Sequence, residues 1–239
     1  MKHLPNALTL ANLFCGCCAL LAIFHGQPEV AAWFTAGCFF FDYLDGMAAR
    51  ALGVQSPLGK ELDSLADVVS FGVVPGAMLY QLLGGSQSST DVVTAVSFIR
   101  VEALPAFVLS AFSALRLAKF NLDTRQSNYF IGLTTPACTV LVLGLALAAH
   151  NDRFGLAETI RAPWFLYGLI GVLSWFLTCE IPMFGMKIKG LDWKGNKLNL
   201  LFILLFSLLL FFLKELSLTA TVVCYVLVSI VKKDKIVAT

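Results

Sequence analysis

An all-α, polytopic membrane helix bundle is the fold class this sequence predicts, and three observations predict it. The 239 residues are 58% hydrophobic and only 13% charged, with a mean hydropathy of +0.81, whereas a soluble domain carries about a quarter charged residues. Apolar runs close to the roughly 20 residues that cross a bilayer recur along the whole chain. The 17 lysines and arginines concentrate in alternate connections between those runs. Lipid is therefore the solvent for most of the surface, and residues 1–239 count as one membrane domain. A net charge of +2 provides no field for nucleic acid.

Eight spans are predicted, at 6–24, 30–50, 60–83, 98–118, 132–149, 163–183, 197–213 and 217–231. Met1-Lys2-His3 and the run after it imitate a signal peptide. The run continues to Ile23 without a small-residue cleavage site, so it reads as a retained first helix. Breakers separate the spans at His25-Gly26-Gln27-Pro28, at Gly84-Gly85-Ser86 and at 189–195. The last two spans are short and read as a hairpin, tilted or re-entrant. No internal repeat, low-complexity linker or extramembrane domain is legible. The seven cysteines lie in or beside apolar stretches. Even the C-x-x-C of Cys15-Gly16-Cys17-Cys18, with no histidine close by, reads as small buried packing residues.

Basic residues orient the bundle. With the N-terminus cytoplasmic, 13 of the 17 fall on that side, among them Arg50, Lys60, Arg116 and Lys119, and four on the other: Arg100, Arg153, Arg161 and Lys214. Both termini are then cytoplasmic.

Against this apolar background, ionisable residues at membrane depth mark function, because burying one costs several kcal/mol. Asp42 and Asp45 stand three apart near the end of the second span, and Asp63 and Asp67 four apart near the start of the third. Each pair shares a helical face. A short turn, Ala51 to Pro57, makes the two helices antiparallel neighbours. At 1.5 Å per residue, Asp42 lies about 12 Å before Arg50 and Asp67 about 12 Å after Gly59, so the pairs meet at one level below the cytoplasmic surface. Four carboxylates there repel one another, and one or two divalent cations relieve the repulsion while the acids stay ionised. All-oxygen ligands without histidine or cysteine favour Mg2+, Mn2+ or Ca2+. Such ions keep open positions for phosphate oxygens. Gly46, Ala49 and Gly59 leave room for a ligand at the same junction, and Arg50 offers a donor fork suited to phosphate.

The pattern Asp42-x2-Asp45-Gly46-x2-Ala49-Arg50-x8-Gly59-x3-Asp63-x3-Asp67 resembles, position for position, the signature of the CDP-alcohol phosphatidyltransferase family. The resemblance implies a six-helix catalytic core, here 1–190, followed by a helical hairpin at 191–239. It also implies a homodimer with a nucleotide pocket at the cytoplasmic face. Asp42, Asp45 and Asp63 would then be metal ligands, and Asp67 both a ligand and the general base. Gly46, Ala49 and Gly59 would admit cytidine, with Arg50 on the nucleotide phosphates. The reaction implied is transfer of a phosphatidyl group from CDP-diacylglycerol to an alcohol in a bacterial-type inner membrane, with release of CMP.

Further segments resemble the serine-accepting branch of that family: Pro5 to Gly16, Asp63 to Gly72, Leu115 to Asn121, Tyr129 to Ala137 and Glu180 to Met183. Where that branch leads one to expect Gly-Leu-Pro-x-Pro, this chain has Gly132-Leu133-Thr134-Thr135-Pro136. L-Serine is the expected acceptor, with glycerol 3-phosphate or inositol phosphate as alternatives. Arg116 and Lys119, three apart at the level of the aspartates, suit an acceptor carboxylate or else snorkel to the headgroups. Asn6, Thr9 and Asn12 recur every third residue on the first span; they reach the nucleotide or hydrogen-bond between helices. Ser70 reads as polar packing and Glu61 as interfacial. A cation or proton transporter also keeps acids at membrane depth, but it would distribute polar groups over both halves of the chain. Here they cluster on one side.

Overall fold

The computed structural model describes residues 3–54, 56–84, 99–123, 130–183, 207 and 209–231. Proline and glycine set most helix ends. Helix α1 (Leu4–Phe24) has Pro5 in its first turn, and α2 (Pro28–Leu52) opens on Pro28, where the missing N–H costs nothing. Gly53, at a φ of +62°, ends α2 and returns its N–H to Ala49 and Arg50 carbonyls, the usual left-handed cap. Ser56 then starts α3 (Pro57–Val68), its Oγ accepting from the Gly59 N–H at 3.0 Å. This cap–turn–cap sequence turns the chain back, but α3 packs against α1 and the later helix Ala106–Leu122 rather than directly along α2, which corrects the expected neighbour pairing.

The predicted third span is one continuous 28-residue helix with an interruption that the sequence reading lacked. Val69–Val73 forms a π-turn between α3 and α4 (Val74–Gly84). Side chains from other helices satisfy the carbonyls loosened there. Thr139 Oγ1 donates to Phe71 O at 3.2 Å and Ser110 Oγ to Gly72 O at 2.8 Å.

Two predicted ends are corrected. The span expected at 98–118 begins with a single tight turn, Val101–Ala103, and then α5 (Ala106–Leu122). Pro105 lacks the N–H that would join the two into one ladder. The span expected at 163–183 ends at Thr178, as α8 (Pro163–Thr178). Its apolar composition continues, but Cys179 is extended, and β2 (Pro182–Met183) pairs antiparallel with β1 (Phe130–Ile131), Phe130 opposite Met183. Between them lie α6 (Thr135–Asn151), capped by Thr134, and the unanticipated short α7 (Ala157–Arg161). The last span is α9 (Leu216–Val231). Most of the predicted 197–213 span lies outside the described residues.

α1 runs along α2 and packs on α3 and its extension, while α2 also packs on α6 and meets the third span through the Phe39–Phe71 ring contact; α4 lies at the centre against α5 and α6; α8 packs on α5 and α9 on α6. Nine of the 11 residues of α4 are buried, as an interior helix requires. The outer surface is apolar as well: Phe14 is 68% exposed, Trp33 80% and Trp164 72%. A water-soluble monomer does not display such a surface. Three helices among the described residues, Leu4–Phe24, Pro57–Gly84 and Val101–Leu122, are long and apolar enough to cross a membrane, with shorter apolar helices beside them. The architecture is that of a membrane helix bundle. α2 has the length at 25 residues but carries Glu29, Asp42, Asp45 and Arg50.

The β1–β2 ladder closes the end of α8. Gly132 donates to Ile181 O at 2.9 Å and Leu133 to Phe176 O at 2.8 Å. Gly132 has a φ of +73°, and a Cβ there would stand 3.0 Å from the carbonyl oxygens of Phe176, Leu177 and Cys179. A left-handed non-glycine residue costs about 1–2 kcal/mol, and these oxygens belong to backbone that cannot give way cheaply. Gly132→Ala is expected to lower the thermal midpoint of the detergent-solubilised protein by several degrees. A midpoint within 1 °C of wild type would contradict this account.

Candidate active site

The helix caps described above bring the four aspartates to one end of the bundle, but they do not all meet at one point. Asp42, Asp63 and Asp67 each offer an oxygen, and these lie within 4.8 Å of one another. Asp45, on the same face of α2 as Asp42, turns toward α1 instead. Its Oδ2 accepts a 2.6 Å hydrogen bond from Thr9 Oγ1, and the Pro5 carbonyl lies 3.0 Å from the same hydroxyl. Asp45 is only 6% exposed. The expected fourfold convergence is therefore three carboxylates together and a fourth beside them.

Among the described residues no lysine or arginine forms a salt bridge with these acids, and Asp63 Oδ1 is buried without a hydrogen-bond partner. Oxygen ligands 2.0–2.6 Å from one hard cation stand up to roughly 4–5 Å apart. The three carboxylates and the orphaned oxygen fit a divalent ion.

α1 supports the cluster through Asn12, which the sequence left between two roles. It is fully buried, and its Nδ2 donates to Asp67 Oδ1 at 3.3 Å. Its carbonyl accepts from Ser70 Oγ at 3.3 Å, in the π-turn that follows Asp67. Gly16 allows this approach, since a Cβ there would sit 2.7 Å from Ser70 Oγ. Asn12 thus belongs to the carboxylates and does not line the neighbouring cavity. Ser70 is buried packing and Glu61 is exposed, as read from the sequence.

A cavity of about 580 Å³ opens beside the cluster, lined by Asn6, Thr9, Asp45, Gly46, Ala49, Gly59, Lys60 and Asp63 among others. The two glycines matter sterically. A Cβ at Gly59 would stand 3.3 Å from Asn6 Oδ1, and one at Gly46 would stand 3.3 Å from an Arg50 guanidinium nitrogen. Arg50 is exposed and folds over Gly46, at the edge of the cavity.

A second cavity, of about 350 Å³, lies where α5 ends against α8. Arg116, Lys119, Phe120, Asp123, Thr178 and Glu180 are among its lining residues. Arg116 is 6% exposed, its Nε has no hydrogen-bond partner among the described residues, and its guanidinium carbon stands 6.0 Å from the Phe120 ring centre. Lys119 is exposed. Lys60 Nζ donates to Asn121 O at 3.1 Å, and Asn121 Nδ2 donates to Ser64 Oγ at 2.7 Å, which ties this end of α5 to the aspartate-bearing α3. Arg116 is within electrostatic reach of Asp67. The larger cavity counts Asp45 and Asp63 in its lining, and the sequence reading had no signal for the second beyond its two basic residues.

Fold and site together define a membrane helix bundle with a carboxylate cluster beside a cleft at one end. The chain belongs to the CDP-alcohol phosphatidyltransferase family, whose description matches residues 2–180. Several similar proteins bear the name CDP-diacylglycerol–serine O-phosphatidyltransferase. That of Mycobacterium leprae is 36% identical over 190 residues, covering 77% of this chain and 58% of the relative. That of Helicobacter pylori strain 26695 is 32% identical, covering 71% of this chain and 68% of the relative. That of Bacillus subtilis is 35% identical, covering 69% and 92%. The chain matches a little over half the length of the mycobacterial relative.

Proposed function

We propose that this protein transfers a phosphatidyl group from CDP-diacylglycerol to the hydroxyl of L-serine and releases CMP. The observation that carries the reading is the convergence of Asp42, Asp63 and Asp67 beside a cavity whose floor is kept open by Gly46, Ala49 and Gly59. Relatives named for that reaction favour serine over glycerol 3-phosphate or inositol phosphate as acceptor.

In this reading the larger cavity holds the CDP moiety. Gly46, Ala49 and Gly59 admit the cytidine, Asn6 and Thr9 hydrogen-bond to it, and Arg50 pairs with a phosphate. Asp42, Asp63 and Asp67, with Asp45 beside them, would hold two divalent cations, Mg2+ or Mn2+, with Ca2+ also suited to the ligands. When bound, the metal neutralises charge on the diphosphate and on departing CMP. Arg116 and Lys119 bind the carboxylate of serine and turn its hydroxyl toward Asp67. Asp67 accepts the hydroxyl proton as the serine oxygen attacks the lipid-side phosphorus. A new O–P bond forms, the phosphoanhydride bond breaks, and CMP carries away the bonding pair. Asn12 holds the Asp67 carboxylate in place through the bond described above.

The same reading makes the protein a homodimer of the bacterial inner membrane, with both termini and the site facing the cytoplasm, residues 1–190 as catalytic core and 191–239 as a helical hairpin. Purified protein incubated with CDP-diacylglycerol and Mn2+ or Mg2+ is expected to release CMP when L-serine is added and to form phosphatidylserine. CMP release stimulated by glycerol 3-phosphate but not by L-serine would overturn the acceptor assignment. Release with no acceptor would overturn the transfer itself.

A further inference from the structure

The second cavity contains more than the two basic residues assigned to a carboxylate. Glu180 lines it from the segment between α8 and β2, and Asp123 from the end of α5. Asp123 already has an interaction of its own. We propose that Glu180 reads the α-ammonium of the acceptor, so that the cavity selects a zwitterionic amino acid over an anionic alcohol. This rests on the acceptor reading given above and specifies how the acceptor is chosen.

Three features argue for it. First, among the described lining residues the charges balance: Arg116 and Lys119 are offset by Asp123 and Glu180. A lining that presents both signs of charge suits a ligand carrying one charge of each sign better than an anionic alcohol. Second, Arg116 is an almost fully buried guanidinium lining the cavity, with its Nε lacking a partner among the described residues. Such a group is costly to bury unless a ligand completes its bonds. Third, the wall bearing Glu180 is fixed by main-chain bonds, Gly132 N–H to Ile181 O and Leu133 N–H to Phe176 O. Glu180 is thereby held at a set place across from α5, as a residue must be to discriminate between ligands. An acceptor lacking the ammonium would leave that carboxylate unpaired, and one carrying a phosphate would be repelled by it.

The test compares wild type with Glu180→Gln and Glu180→Asp, using CDP-diacylglycerol, Mn2+ and either L-serine or 3-hydroxypropionate, which keeps hydroxyl and carboxylate but lacks the ammonium. Wild type is expected to favour serine strongly. Glu180→Gln is expected to raise KM for serine about tenfold or more, the usual scale for losing a charged hydrogen-bond partner, while KM for CDP-diacylglycerol stays within about twofold. Its preference for serine over 3-hydroxypropionate should fall by a similar factor, and Glu180→Asp should recover part of it. A serine-dependent wild type whose Glu180→Gln variant keeps both KM and preference overturns this inference alone. So does a variant that loses CDP-diacylglycerol binding equally, which would mark a structural role. A wild type indifferent to L-serine overturns the functional reading, and this inference with it.

Discussion

Asp67→Asn is expected to lower CMP release by at least about a hundredfold, the lower end of what a positioned general base contributes, while the protein still binds CDP-diacylglycerol. The substitution keeps the shape of the side chain and an oxygen for Asn12 Nδ2, now 3.3 Å from Asp67 Oδ1, but removes the acceptor for the hydroxyl proton. The loss should therefore appear in kcat rather than in KM for the nucleotide lipid. Single-turnover CMP release, measured beside equilibrium binding of CDP-diacylglycerol, separates the two. Turnover within tenfold of wild type would remove Asp67 from its role as base.

Asp63→Asn should show two opposite effects in one protein. Asp42, Asp63 and Asp67 crowd their oxygens within 4.8 Å. Two like charges about 4 Å apart repel by about 1 kcal/mol even in water. Neutralising one relieves that cost, so the metal-free variant should melt about 2–4 °C above metal-free wild type. The stabilisation that Mn2+ gives wild type should disappear. Losing a group that merely supports a ligand costs about 10–100-fold in metal affinity, and losing a ligand should cost at least as much. Thermal midpoints with and without Mn2+, with Mn2+ binding followed by electron paramagnetic resonance, check both halves. A variant that melts lower without metal yet keeps its Mn2+ response would contradict the crowding.

The sequence made the aspartates legible because helical periodicity is local: three- and four-residue spacings put Asp42 with Asp45 and Asp63 with Asp67 whatever surrounds them. It could not show that Asp45 would turn to Thr9, since that depends on where α1 crosses α2, 36 residues away in the chain. The same limit hid the π-turn. Its loosened carbonyls are taken up by Ser110 and Thr139 from two later helices, and Gly16 supplies the space. None of these residues is unusual alone. The end of α8 is a different case, because a signal was present. Pro182 disfavours helix at the residue before it, but the apolar run through Ile181 and Met183 outweighed it in a reading based on span length. Arg116 and Lys119 were legible as a pair, whereas Glu180 became interesting only once the β1–β2 ladder put it across the same cavity.

The π-turn has a consequence for how this span tolerates change in length. An α-helix advances about 100° per residue, and a π-turn amounts to one extra residue accommodated without breaking the rod. The half carrying Asp63 and Asp67 and the buried half from Val74 to Gly84 are thus phased independently. Deleting one residue, such as Val69, would remove the turn and leave the two halves in nearly their present phase, whereas straightening it to a uniform α-helix with every residue kept would rotate one half against the other by about 100°. With the buried half locked by its neighbours, the acids would swing away from Asp42. How a single extra residue is accommodated between anchor and site therefore sets the compass bearing of the chemistry.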